Sequence, residues 1–224
     1  AIGKANAGDT VVLLAGRHDL AAQLAVSKAI TLRGAGENWE SVIDGKGMVS
    51  GIDVSVAGAL LHNFTLANAG AQWAGAAGIN MSKASTISNV VIRETGNLWR
   101  KPGDGVRFPL TISAGLATHC WITNNIAPNN AGVGISGSAV LENCYIADNV
   151  DRAGSTTAGY RGIVNVNGGT VRNCTIVNNK SGYSALFYRT KDAKVYNNII
   201  WGNVCTTDET ADRNWSSGKS GTAN

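Results

Sequence analysis

Two decapeptides that lie thirty residues apart in the sequence share one motif. Residues 140–149 read VLENCYIADN and residues 170–179 read TVRNCTIVNN, so that Asn-Cys-x-Ile-x-x-Asn occurs twice. Related segments are anchored on four further residues, which gives anchors at Asn63, Asn89, His119, Asn143, Asn173 and Asn197. Successive anchors are 24 to 30 residues apart. A fixed period of this length, built from short β segments, indicates a solenoid.

The anchor residue of each repeat is predicted to turn a corner. Asn tolerates the left-handed backbone conformation better than any residue except Gly. We therefore expect the anchors to stand at bends, largely buried, with their amides bonded to neighbouring coils. Because successive strand residues face opposite sides, three columns should form the core: Leu61, Ile87, Ala117, Leu141, Val171 and Val195; Phe64, Val90, Cys120, Cys144, Cys174 and Asn198; Leu66, Ile92, Ile122, Ile146, Ile176 and Ile200.

A third short strand precedes each of these segments, at 78–82, 109–113, 132–136, 162–166 and 185–189. Three strands per turn, stacked in register at about 4.8 Å, describe a parallel β-helix. Length varies between each anchor segment and the next third strand. The loops are therefore predicted along one side, which in repeat proteins is often the binding face.

The region from Gly8 to Gly47 contains GDTVVLLAG, AITLRGAG and SVIDGKG, and coils of the NCTIVNN type follow it. These segments resemble the N-terminal half of right-handed parallel β-helix proteins of the pectate-lyase-like superfamily. That superfamily includes chondroitinase- and alginate-lyase-type enzymes and many uncharacterised surface proteins. The resemblance covers about residues 5–203. It implies an all-β, single-stranded right-handed parallel β-helix over 1–203, with 1–7 as the remnant of a cap, followed by a polar tail or the cut edge of a longer chain at 204–224.

Composition narrows the range of partners. Charged residues make up 15 % of the chain, the net charge is +4 and the pI is about 9.0. This mild basic excess is far from the clustered Lys and Arg of a nucleic-acid-binding protein, so we expect no nucleic-acid partner. No apolar run is long enough for a transmembrane helix, and we expect no membrane insertion. The sequence leaves the oligomeric state open.

Cysteine and histidine placement argues against metal and nucleophilic chemistry. Cys120, Cys144 and Cys174 fall in one inward column and are predicted to be small buried residues, although a disulfide between adjacent coils is geometrically conceivable. One straight column does not make a tetrahedral zinc site. The three His residues are scattered over different coils, so no catalytic triad is expected. We predict no cofactor, and we interpret the four Asn-x-Ser/Thr sequons as by-products of the fold in a bacterial protein.

The floor of the predicted binding side consists of Asn80, Thr111, Gly134, Val164 or Asn165, and Phe187. It contains no carboxylate, so neither a calcium site nor a paired-carboxylate glycosidase site is visible, and no metal is predicted. The adjoining loops are basic and aromatic. The predicted substrate-binding residues are Trp99, Arg107, Arg152, Tyr160 and Arg161. Arg forks bind carboxylate or sulfate groups, and Trp and Tyr faces stack on sugar rings. In the alternative interpretation, the loop aromatics merely cover the solenoid wall.

These features predict an extracellular or cell-surface domain that binds an acidic polysaccharide. Whether it also cleaves the polymer, as a lyase, stays open, because no residue spacing singles out a catalytic base. Arg107 and Arg161 are expected about two coil steps, roughly 10 Å, apart, close to the repeat of an extended disaccharide. The alternative function is a non-catalytic adhesin or structural spacer.

Overall fold

A computed structural model describes residues 1–70, 78–96, 108–127, 131–151, 162–181, 186–188, 192–205 and 215–217. Within these ranges, helix is confined to one 3₁₀ turn at Ile2–Lys4, and all other regular structure is parallel β-strand. The all-β parallel β-helix predicted from the sequence is confirmed. None of the described segments forms a helix that is long and apolar enough to cross a membrane.

The strands stack into three faces. The first face contains β1 (Thr10–Leu13), β4 (Thr31–Gly34), β7 (Leu60–Ala67), β9 (Ser85–Arg93), β11 (Gly115–Thr118), the end of β14 (Val133–Glu142), the end of β17 (Val164–Arg172) and β21 (Lys194–Tyr196). The second face contains β2 (Gly16–Asp19), β5 (Ser41–Asp44), the ends of β7 and β9, β12 (Trp121–Thr123), β15 (Tyr145–Ala147), β18 (Thr175–Val177) and β22 (Ile199–Trp201).

The third face contains β3 (Leu24–Val26), β6 (Ile52–Val54), β8 (Ile79–Met81), β10 (Leu110–Ile112), the starts of β14 and β17, β20 (Leu186–Tyr188) and β24 (Trp215–Ser217). A narrow fourth ladder, not predicted from the sequence, contains β13 (Ile126–Ala127), β16 (Val150–Asp151), β19 (Lys180–Ser181) and β23 (Val204–Cys205). The strands β23 and β24 lie within 204–224, so paired backbone extends beyond residue 203.

One column of paired residues on the first face follows the whole solenoid. It has eight rungs: Thr10, Thr31, Leu60, Thr86, Leu116, Val140, Thr170 and Lys194. The three predicted core columns face inward and are buried from coil three to coil seven. Their last members, Val195, Asn198 and Ile200, are half-buried. Each coil thus stacks its apolar residues on those of its neighbours.

The predicted bends are confirmed, but the predicted burial of their side chains is wrong for most of them. The backbone φ angle is positive at every anchor, for example 52° at Asn143 and 54° at Asn173. Both of these side chains are exposed, as are those of His119 and Asn197. At a left-handed corner the side chain projects away from the solenoid, so it cannot reach the interior.

An asparagine ladder does exist, and its longest run lies at the second corner of the coil. Its members Asn125, Asn149, Asn179 and Asn203 are at most 1 % exposed. Each directly follows a residue with positive φ: Asn124, Asp148, Asn178 or Gly202. The amide nitrogen of each of the first three donates to the amide oxygen of the next, at 2.8, 2.9 and 2.9 Å. A shorter run joins Asn89 to Asn63 at 2.6 Å on the first corner.

Candidate ligand-binding face

All five predicted substrate-binding residues, Trp99, Arg107, Arg152, Tyr160 and Arg161, lie outside the described residues. Their sequence positions can still be related to the strands that follow. Arg107 precedes Leu110 by three residues, and Arg161 precedes Val164 by three. Leu110 and Val164 pair with Val133 from opposite sides, so the two strands are two rungs apart. The positions of the two arginines themselves stay a prediction.

The predicted floor residues form one column of paired positions on the third face. Asn80, Thr111, Gly134, Asn165 and Phe187 are paired in succession. The alternative member, Val164, is fully buried in the core. Alternation along the strand explains this, because Val164 and Val166 face inward and leave Asn165 facing outward.

The column continues to Asp53, which pairs with Asn80. The prediction of a floor without a carboxylate is therefore wrong. Asp53 belongs to the segment IDVS in the second coil, which has no Asn anchor and so gave no sign of its place in the repeat. Asn80 Nδ2 donates a hydrogen bond of 2.7 Å to Asp53 Oδ1, which links the two coils on the outer surface.

A second polar column lies two residues further along the same strands. It consists of Ser55, Ser82, Ser113, Ser136 and Asn167, all exposed or half-buried. Sequence reasoning missed this column, although the signal was present in Asp-Val-Ser, Asn-Met-Ser, Thr-Ile-Ser, Gly-Ile-Ser and Asn-Val-Asn. We call the two columns together the polar strip: Asp53, Asn80, Thr111 and Asn165, with Ser55, Ser82, Ser113, Ser136 and Asn167.

The polar strip is open at one end and covered near its middle. Asp53 and Asn80 are half-buried, whereas Asn165 is only 6 % exposed. Between them, the ring of Phe108 lies on Gly134. A Cβ atom added to Gly134 would meet Phe108 Cδ2 at 2.5 Å, so only glycine admits the ring in this position. Phe108 was not identified from the sequence.

In the described part of the chain, one buried hydroxyl of the polar strip has no hydrogen-bond partner. Thr111 Oγ1 is buried and unpaired, whereas Ser136 Oγ on the neighbouring column contacts Ser113 Oγ at 3.2 Å. A buried polar atom without a partner costs about 1 to 3 kcal/mol. The strip therefore contains a polar group whose hydrogen-bonding capacity the described fold does not use.

An ion pair on the first face and a column of thiols in the core have structural roles. Glu142 and Arg172 form the predicted cross-strand pair on the first face, with Arg172 Nε donating to Glu142 Oε2 at 2.7 Å. The three stacked cysteines are free and buried, as predicted. Burial raises the pKa of the Cys144 thiol well above its ordinary value, and hydrogen bonds with Cys120 and Cys174 add to the rise. A thiol in this state is a packing residue and not a nucleophile.

The chemistry of the polar strip is that of hydrogen bonding. Its nine side chains supply hydroxyl, amide and carboxylate groups at steps of about 4.8 Å along the solenoid. From Asp53 to Asn165 there are four such steps, about 19 Å. Asp53 is the one charged member of the set. Among the described residues, no three His, Cys, Asp or Glu side chains are grouped so that they could hold a metal ion.

Comparison with known proteins supplies one structural similarity. No protein-family model matches the chain, and no curated protein matches it. Among solved structures, the fold is similar to that of a mannuronic acid specific polysaccharide family 6 lyase enzyme from human gut microbiota, with 12 % sequence identity and a TM-score of 0.48. The similarity covers 91 % of this chain and 62 % of that enzyme.

Proposed function

We propose that this protein binds a polysaccharide along the polar strip. The observation that carries the proposal is the accessible part of the strip. Asp53 and Asn80 lie at the N-terminal end beside one column of hydroxyl and amide side chains, and that column is accessible along its whole length: Ser55, Ser82, Ser113, Ser136 and Asn167. A sugar chain presents hydroxyl groups at short regular intervals. It can donate to and accept from such side chains at several successive rungs while a rigid sheet holds them in place.

The ligand we propose is acidic. Arg107, Arg152 and Arg161 precede the strands β10 and β17 in the sequence, and the chain has a net charge of +4. Guanidinium groups bind carboxylate and sulfate groups through paired hydrogen bonds. Asp53 opposes an anion at the N-terminal end of the strip. The acidic groups of the ligand are therefore expected beside the coils of β10, β14 and β17, and neutral hydroxyls beside Asp53.

An acidic polysaccharide ligand would place the protein outside the cell or on its surface, and we include that location in the proposal. A separate experiment tests whether the protein also cleaves the bound polymer. The described strip offers one carboxylate, Asp53, which is hydrogen-bonded to Asn80. A lyase also needs a cation beside the sugar carboxylate to stabilise the carbanion, and Arg107 and Arg161 are the candidates.

The test is affinity electrophoresis at low salt through gels that contain alginate, pectate or chondroitin. We expect retardation in at least one gel, and its loss in the double variant Asn80→Ala/Ser82→Ala. The matched control is Thr86→Ala/Thr170→Ala, which removes two polar side chains from the first face and should migrate as the parent does. A second pair, Arg107→Ala/Arg161→Ala, tests the charge requirement in the same gels.

Each outcome bears on a different part of the proposal. A parent protein that no acidic gel retards would contradict the acidic ligand and favour the adhesin or spacer function. Retardation that survives Asn80→Ala/Ser82→Ala would remove the polar strip as the site. Absorbance of the unsaturated uronate product, followed with the same polymers in solution, separates a lyase from a binding protein.

A further inference from the structure

The second face of the solenoid carries an exposed apolar surface far from the polar strip. Its side chains come from four consecutive strands, β12, β15, β18 and β22. We call the set the apolar face: Trp121, Thr123, Tyr145, Thr175, Val177, Ile199 and Trp201. The eighth position of the two columns, Ala147, is fully buried. Trp121 is 55 % exposed, Ile199 is 64 % exposed and Trp201 is 73 % exposed. None of the seven is charged.

The apolar character is confined to this part of the second face. At the N-terminal end of the same face, Arg17 and Asp19 form an exposed ion pair with Lys46 and the buried Asp44. An uncharged surface rich in Trp and Tyr has the composition of the centre of a protein–protein interface.

Large and small side chains follow one another along the apolar face in an order that fits the same face of a second, inverted copy. One column reads Trp121, Tyr145, Thr175, Ile199, and the column beside it reads Thr123, Ala147, Val177, Trp201. A second copy can be related to the first by a twofold axis that runs parallel to the strands, between β15 and β18. The first column of one copy then faces the first column of the other copy in the opposite order. Trp121 then lies opposite Ile199 of the other copy, and Tyr145 opposite Thr175.

The second column fits in the same arrangement. Thr123 comes to lie opposite Trp201 of the other copy, and Val177 lies over the position of Ala147, which is fully buried within its own copy. Every large side chain therefore faces a smaller one, and no two Trp or Tyr rings compete for the same space. Within one copy, the ring of Trp121 packs against the ring of Tyr145 on the next rung, with ring centroids 5.8 Å apart. Interdigitation of large and small residues is what two sheets need to pack at about 10 Å.

We propose that the apolar face binds a second copy of this chain, with the two solenoids antiparallel across a twofold axis between β15 and β18. Such an interface is isologous, because the same patch serves both copies. The four rungs span about 14 Å and the two columns are about 7 Å apart, so the patch covers on the order of 100 to 200 Å², which is small beside the roughly 800 Å² per partner of a standard interface. The dimer is therefore weak and depends on protein concentration. The polar strip lies on the third face and is left free.

Sedimentation equilibrium between about 10 µM and 1 mM tests the dimer. The parent chain is expected to shift from monomer to dimer over this range, and Trp201→Glu is expected to raise the dissociation constant at least tenfold. The matched control is Trp39→Glu, because Trp39 is 66 % exposed but lies outside the apolar face. A parent that stays monomeric throughout, or a dimer that Trp201→Glu leaves unchanged, would overturn the proposal.

Cross-linking tests the antiparallel orientation. In this dimer the Thr175 residues of the two copies are offset by one rung along the solenoid. The two Thr123 residues are offset by three rungs, about 14 Å. In a Cys205→Ser background, a short bismaleimide should link Thr175→Cys to itself much faster than Thr123→Cys. The reverse order of rates would contradict the twofold axis, and equal slow rates would contradict the dimer. Unchanged circular dichroism verifies that each variant is folded, and gel retardation by polysaccharide reports separately on the polar strip.

Discussion

Asn149 is bonded to the coils on both sides of it. Its Nδ2 donates to Ile122 O at 2.9 Å and to Asn179 Oδ1 at 2.9 Å, and its Oδ1 accepts from Asn125 Nδ2 at 2.8 Å. The side chain is fully buried. In the motif Asn-Cys-x-Ile-x-x-Asn, the last residue thus joins the coils and the first, Asn143, turns the corner. Two asparagines in one motif have different physical roles.

Replacement of Asn149 by Leu should lower the free energy of unfolding by about 3 kcal/mol or more. Leu leaves buried partners on two coils unsatisfied, and each such group costs about 1 to 3 kcal/mol. Asn143→Leu is the matched control. Asn143 is exposed, so its replacement costs only the left-handed conformation, about 1 to 2 kcal/mol. Urea denaturation followed by circular dichroism measures both, and a larger loss at residue 143 than at 149 would show that the ladder is misassigned.

Thr111 offers the opposite case, a buried hydroxyl whose removal should stabilise the fold. Its Oγ1 is unpaired, so Thr111→Val removes a desolvated polar atom and should raise the free energy of unfolding by about 1 kcal/mol. Thr65→Val is the control, because Thr65 Oγ1 donates to Asn38 O at 2.7 Å and is buried. The control should lose about 1 to 2 kcal/mol. A decrease in stability for Thr111→Val would mean that its hydroxyl has a partner in the folded protein.

At the scale of one strand, Gly134 and Phe108 act as a pair. Gly134→Ala puts a Cβ atom 2.5 Å from the ring, and the ring must move or the strand must shift. We expect a loss of about 1 to 3 kcal/mol. In the background Phe108→Ala, the same change should cost much less, since no ring is present. A double-mutant cycle in thermal or urea unfolding measures this coupling, and strictly additive losses would show that the ring does not lie on Gly134 in solution.

The strands of the core could be predicted because inward apolar residues recur with period two beside each bend. Leu141, Cys144 and Ile146 are buried where that alternation places them. The ladder was harder, since the corner residue and the ladder residue are both Asn, as in Asn124-Asn125 and Asn178-Asn179. Sequence alone does not say which of the two faces inward. The backbone φ decides it, and the left-handed residue is the one that points out.

The floor of the proposed binding side was predicted in part, for a related reason. The floor column follows from alternation, so Asn80, Thr111 and Gly134 were placed correctly. Asp53 was missed because its coil has no Asn anchor, although its strand is in register with β8. Phe108 was missed because it precedes its strand and reaches Gly134 on the next coil by packing, which no local pattern encodes. The loop residues Arg107 and Arg161 are still predictions.

At the scale of the whole molecule, the fold is a stack in which each coil contacts its two neighbours. Val140 pairs with Leu116 below and Thr170 above, and this column runs through eight rungs. The ladder runs in parallel with it, from Asn125 to Asn203. In such a quasi-one-dimensional structure, stability is approximately the sum of the coils and their interfaces. For the stability of the stack, the register between two neighbouring coils therefore matters more than which two coils are neighbours.

Deletion of residues 143–172 should therefore leave a folded, shorter solenoid. The deletion removes 30 residues, one complete coil, and joins Glu142 to Asn173. The corner residue Asn143 is replaced by its equivalent, Asn173, Cys174 stacks on Cys120, and Asn125 meets Asn179. The denaturant m-value should fall in proportion to the surface lost.

Deletion of 143–157 is the control. It removes β15 and β16 but keeps β17, so the second face lacks one strand beside a complete first face. We expect the 30-residue deletion to unfold cooperatively with a parallel-β circular dichroism spectrum and the 15-residue deletion to be unfolded. If both are folded, or if both are unfolded, register between coils is not what holds the solenoid together.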